Sequence, residues 1–237
     1  MKWLITLVFL LAATGGAEMF EDNFNDGNAD GWYEFTTGIP DSTSYYVESG
    51  WYHMELFGMS GTVISYNGNV EDSLPHTMSV PDYHFYCKTT AYPGAEHVGF
   101  GCRMLSPVES EQGYILWLRY DLPSDVVIWR HDGPSSYWEL AQTSYPLAYG
   151  ETYWVCFRLL GGLIRAKVWQ GELADEPSEW LLTAYDTTYY TPGSIGMGCH
   201  GYGTGLKHAA FNDVMVFGPT EALTPTTWGA IKSSWID

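Results

Sequence analysis

The chain has 237 residues, with 10 Lys+Arg against 28 Asp+Glu for a formal charge of -18, and it is 46% hydrophobic and 16% aromatic. A chain this apolar has the material for a packed core, which excludes intrinsic disorder, and at this length it buries roughly 70% of its unfolded surface, enough for one large domain. Its acidity argues against nucleic acid or an anionic membrane as partner, because both are held by clustered Lys and Arg and the ten here are scattered.

Lys2, the apolar run 3–13 and the small residues ending at Gly15, Gly16 and Ala17 follow the order of a secretory signal peptide, so residues 1–17 are expected to be removed and the protein exported. The run is too short to span a bilayer, which takes roughly 20 residues, and no other segment approaches that length. From Glu18 to about Phe217 no window has convincing helical periodicity. Runs rich in Val, Ile, Tyr, Trp and Phe recur instead at 32–35, 51–57, 62–66, 83–90, 98–105, 114–120, 126–131, 137–142, 153–160, 163–169, 180–185, 194–199 and 207–217. Turn formers separate them, among them Pro93-Gly94, Asp132-Gly133-Pro134 and Pro192-Gly193, and Gly161-Gly162 is the clearest two-residue hairpin. Some thirteen strands without an interior linker predict one all-β, two-sheet antiparallel sandwich over residues 18–217. Residues 218–237 form a Pro/Thr linker and a short tail, in which Trp228, Ile231 and Trp235 share one helical face. That tail either packs on the sandwich or is read by an export or anchoring partner; it resembles the Trp-Gly-x-Ile-Lys endings of secreted proteins of some uncultured bacteria.

Two stretches carry a family resemblance. The first is Phe24-Asn25-Asp26-Gly27-Asn28-Ala29-Asp30-Gly31-Trp32. The second runs through Ile164-Arg165-Ala166-Lys167-Val168-Trp169, Glu176-Pro177 with Trp180, Gly193-Ser194-Ile195-Gly196-Met197 and Phe211-Asn212-Asp213-Val214-Met215-Val216. In this order they resemble the concanavalin A-like (laminin G-like) jelly-roll domains of secreted bacterial proteins. The resemblance implies two curved antiparallel sheets and an extracellular, often carbohydrate-associated role. It implies no single activity, because the fold hosts lectins, glycosidases and adhesive modules.

Glucanases of this fold carry Glu-x-Asp-x-x-Glu on one strand, and that pattern is absent here. Glu55, Glu139 and Glu151 are the residues from which the fold could assemble a different carboxylate pair. Asp26-x-Asn28-x-Asp30-Gly31 reproduces the first half of a calcium loop, although loop position 12 is Thr37 rather than Glu; one structural calcium ion or a solvated Asx-turn loop are the two readings. Related modules add an aspartate from the closing strand, where this chain has Asn212, with Asp213 as substitute. If 83–90 and 98–105 form a hairpin about Gly94-Ala95, Cys87 and Cys102 lie directly opposite and form the candidate disulfide; otherwise the four cysteines are buried free thiols. For sugar stacking the candidates are Trp117 and Arg119 on one strand face, Trp129 and His131 on the next, and Trp138 on the strand after, against the alternative that these rings fill the core. The sequence thus points to a secreted, non-catalytic carbohydrate-binding module with a polysaccharide or glycan as partner. A glycoside hydrolase with a non-standard carboxylate site and a structural matrix protein are the competing readings.

Overall fold

The computed structural model describes residues 18–69, 74–75, 78–105, 112–121, 123–133 and 136–219. The expected signal peptide, 1–17, and the tail from 220 onward lie outside the described residues. Fourteen strands follow one another: β1 Glu18–Asp22, β2 Trp32–Glu48, β3 Trp51–Asn69, β4 Leu74–Pro75, β5 Tyr83–Ala91, β6 His97–Leu105, β7 Gln112–Arg119, β8 Asp125–Gly133, β9 Ser136–Ser144, β10 Thr152–Leu160, β11 Leu163–Trp169, β12 Leu182–Tyr185, β13 Ser194–Gly201 and β14 Gly205–Phe217. Every pairing among them is antiparallel. Among the described residues no helix is long and apolar enough to cross a membrane.

The hydrogen-bonded order β12-β11-β10-β5-β14-β3-β13-β6-β7-β8-β9 is unbroken because β3 serves both layers of a sandwich. Its first half pairs with β14 over Tyr52–Gly58, and its second half pairs with β13 over Gly61–Tyr66. β2 follows β3 around the bend, with register shifts on either side of Pro40, whose ring nitrogen has no hydrogen to give to the ladder. The runs 51–57 and 62–66, expected as two strands, are therefore one bent strand.

Period-two alternation decides what is inside. Val98, Phe100 and Cys102 of β6 and Ile195, Met197 and Cys199 of β13 point inward from one layer. Phe85 and Cys87 of β5, Val155 and Phe157 of β10, and Val214 and Val216 of β14 meet them from the other. The Cys87 Sγ lies 3.6 Å from the Met197 Sδ, across the seam between the layers. The Gly161-Gly162 hairpin forms as expected, with Leu160 opposite Leu163.

The expected hairpin of β5 and β6 does not form. Both edges of β5 are taken, by β10 and by β14, and β6 pairs instead with β13 and β7 in the other layer. This corrects the Cys87 to Cys102 disulfide: the two residues sit on strands that never pair, and all four cysteines are buried free thiols.

Candidate functional site

The outer face of the layer β3-β13-β6-β7-β8 holds a cavity of about 450 Å³, within the range of small-molecule sites. Its floor is made by four outward positions of two neighbouring strands, β6 and β13, and all four are glycine. Gly99 pairs directly with Gly198, and Gly101 with Gly196. Across the adjoining strands these glycines face Trp117 and Ile115 on one side and Ile64 and Tyr66 on the other. The rings lie down over the bare backbone. A Cβ on Gly99 would come 2.5 Å from the Trp117 ring, and one on Gly196 would come 2.5 Å from the Tyr66 ring. Side chains that otherwise stand off a sheet are thus laid flat, and the trough between them stays open.

Polar groups gather at one end. His200 Nδ1 lies 2.8 Å from the Thr62 hydroxyl, and its ring is 5.4 Å from that of His97 and 4.6 Å from that of Tyr202. Burial lowers the pKa of His97, reinforced by His200 and opposed by Asp121, and burial likewise lowers that of His200. Burial holds His131 at about 4. All three imidazoles are neutral at pH 7. Among the described residues Trp117 Nε1, Trp129 Nε1 and His200 Nε2 are buried without a hydrogen-bond partner, groups of the kind that a ligand oxygen satisfies. Among the described residues the lining contains no Asp, Glu, Lys or Arg.

Of the five residues expected to touch sugar, Trp117, Trp129 and His131 line the cavity. Arg119 stands beside it, 5.8 Å over the Trp129 ring, with its fork spent on both oxygens of Asp125. Trp138 does not join the group. It pairs with Arg130, on the face opposite to Trp129, and Tyr137 takes its place by stacking on Trp129 at 4.7 Å. Bulges flanking this stretch of β8 and β9 set the register, and one residue of slip exchanges the faces. Sequence reasoning missed the glycines, Tyr66, His97, His200 and Tyr202. The alternation of Gly with large apolar residues at 98–102 and 195–199 was the available signal.

The calcium candidates Asp26, Asp30 and Asp213 are not gathered into one site among the described residues. Asp26 Oδ1 accepts the Asn28 N–H and Asn28 Oδ1 the Asp30 N–H, in two successive Asx turns. Asp213 sits in a β14 bulge, with Lys88 and Glu172 as its charged neighbours. Among the described residues no three His, Cys, Asp or Glu are grouped to hold a metal. Of the glutamates considered for catalysis, Glu55 accepts the Tyr46 hydroxyl on the first half of β3, Glu151 accepts from Gln170, and Glu139 is exposed on β9.

No protein-family model matches the sequence, and no curated protein matches it significantly. Solved structures do resemble it. The carbohydrate binding module CBM66 from Bacillus subtilis superposes with a TM-score of 0.57 at 12% identity, covering 81% of this chain and 98% of its own. The exoplasmic/lumenal domain of VIP36 in a Ca2+/Man2-bound form gives 0.58 at 12%, covering 88% and 90%. A Bacillus licheniformis beta-glucanase gives 0.57 at 16%, covering 86% and 99%. The fold is the concanavalin A-like jelly roll. At these identities the likeness carries the architecture alone, and function has to be argued from the cavity.

Proposed function

We propose that this chain is a secreted, non-catalytic carbohydrate-binding module that holds a neutral sugar in the glycine-floored cavity. The observation that carries the reading is the Trp117 ring lying flat on Gly99, at the edge of a recess whose described lining is uncharged. A pyranose offers C–H faces to such a ring and hydroxyls to the unpartnered Trp117 Nε1, Trp129 Nε1 and His200 Nε2. A neighbouring fold described as a carbohydrate binding module and another described as a Ca2+/Man2-bound form support the same ligand class. The beta-glucanase neighbour raises hydrolysis, which needs two carboxyl groups about 5–10 Å apart across the scissile bond. Glu55, Glu139 and Glu151 stand apart on β3, on β9 and before β10, and the described lining supplies no carboxylate, which favours binding. Export rests on the character of residues 1–17.

The test is a glycan array of the mature protein followed by calorimetry on the best neutral ligand, alongside Trp117→Ala and an assay for released reducing sugar. The reading expects binding that falls at least tenfold in Trp117→Ala, with no sugar released. Absence of any neutral-glycan signal, or full affinity in Trp117→Ala, would overturn it. Calcium is no part of this proposal; the neighbours described as Ca2+-bound make a chelator arm worthwhile, and binding is expected to survive it.

A further inference from the structure

The outer face of the opposite layer carries a different chemistry. Arg158 of β10 and Arg165 of β11 are directly opposite each other, and His84 of β5 is directly opposite Arg158 on its other side. All three alternate with core residues and so point away from the inter-sheet core. Placing like charges directly across a sheet is destabilising, and this chain has acids to spare, at 28 against 10 bases. Its other described arginines use them: Arg103 is paired with Asp82, Arg119 with Asp125, and Arg130 with Asp132 and Asp186. Lys167, on the same face as Arg165, is paired with Glu176 at 2.7 Å.

Arg158 and Arg165 have no carboxylate among the described residues. Their one partner among the described residues is the Trp180 ring, 5.8 and 5.6 Å from the two guanidinium carbons. Arg158 Nε, Arg165 Nε and His84 Nε2 are buried and without hydrogen-bond partners among the described residues, and His84 as a whole is 4% exposed. The three residues that carry these nitrogens therefore sit in one row across three adjacent strands, at an inter-strand spacing of about 4.8 Å. An oxyanion bridging the two guanidinium groups would relieve their repulsion and accept the charge-assisted hydrogen bonds that the fold leaves open.

We propose that Arg158, Arg165 and His84 form a second binding site, on the face away from the cavity, for an oxyanion of the carboxylate or sulfate class, such as acidic polysaccharides carry. The site is independent of the neutral-sugar reading, since no residue is shared.

The test titrates the full mature protein with sodium sulfate and, separately, with sodium glucuronate at fixed ionic strength, following the arginine Nε–Hε resonances by NMR. The chain has five arginines, and single Arg→Gln variants assign them. Saturable shifts confined to Arg158 and Arg165 are expected with at least one anion and not with chloride, and which anion binds separates a sulfate ester from a carboxylate as the natural source. Arg158→Gln should weaken that binding at least tenfold, while Trp117→Ala leaves it unchanged. No saturable response to either anion, or shifts shared alike by Arg103, Arg119 and Arg130, would overturn the proposal. The wild-type titration decides this even if a variant fails to fold.

Discussion

Replacing Gly99 by Ala tests whether the cavity exists because the floor has no side chains. The added Cβ would lie 2.5 Å from the Trp117 ring, against an ordinary contact of 3.4–4 Å, so the ring has to rise by about 1 Å into the cavity. Overpacking of this kind costs about 1–3 kcal/mol. Alanine in a strand gains about 0.5–1 kcal/mol over glycine, which offsets part of that. The net expectation for Gly99→Ala is a loss of about 0.5–2 kcal/mol. In a Trp117→Ala background the obstructing ring is gone, and the same substitution should become neutral or stabilising by up to about 1 kcal/mol. A double-mutant cycle by urea denaturation should thus return a coupling of about 1–3 kcal/mol between residues on neighbouring strands. Glycan affinity of the single variant should fall at least tenfold, equivalent to about 1.4 kcal/mol, because the platform has moved. Additive effects, with the coupling below about 0.5 kcal/mol, would refute the claim that the ring rests on this glycine.

Further outcomes follow from the same packing. Burial lowers the pKa of all six described histidines, and it brings His84 and His131 to about 4. Because these rings fold neutral and charge on unfolding, stability present at pH 7 is lost as the pH falls from about 6.5 towards 4, by about 2 kcal/mol at pH 5 for each fully depressed ring. Asp22, Glu34 and Asp213, which burial raises, work in the opposite direction. His84→Gln should therefore flatten the slope of unfolding free energy between pH 7 and 5 by about that amount, and an unchanged slope counts against the assignment. Ellman's reagent should find no reactive thiol in the native protein and four after unfolding without reductant, whereas two after unfolding would restore a disulfide. Lys207→Met should cost about 3–5 kcal/mol in denaturant titration, because the three N–H groups of the fully buried ammonium are shared among the carbonyls of Gly58, Met59, Gly203 and Gly205, which methionine leaves unpaired. A loss below 1 kcal/mol would mean that those carbonyls find other donors. The melting temperature should not move on adding a chelator, and a drop of several degrees would return calcium to the Asp26–Asp30 loop.

Much of the sandwich was legible because burial in a strand is a local property. The alternation through Val98, Phe100 and Cys102, or through Tyr153, Val155 and Phe157, is written at period two and is the same in the fold. The Gly161-Gly162 turn was legible for a similar reason, since it joins neighbours in sequence. Trp117, Trp129 and His131 were found by the same parity argument. Trp138 failed it, because the register between β8 and β9 is set by bulges that composition does not announce. The glycines at 99, 101, 196 and 198 read in sequence as weak points of two strands, and only their alignment makes them a floor.

The sequence by itself determined the class of fold and most of the strands with the alternation of their buried faces, since the distribution of apolar side chains along a pleated backbone settles which face meets water. Which strands pair is another matter. β5 and β6 are consecutive yet lie in opposite layers, Cys87 and Cys102 never meet, and Tyr66, Gly99, Trp117 and His200 are brought together from four separate strands. Each of those outcomes depends on the competition of long-range edges for partners, an energy that exists only once both sheets are packed. The cavity and the unpaired arginines behind it are therefore properties of the tertiary structure.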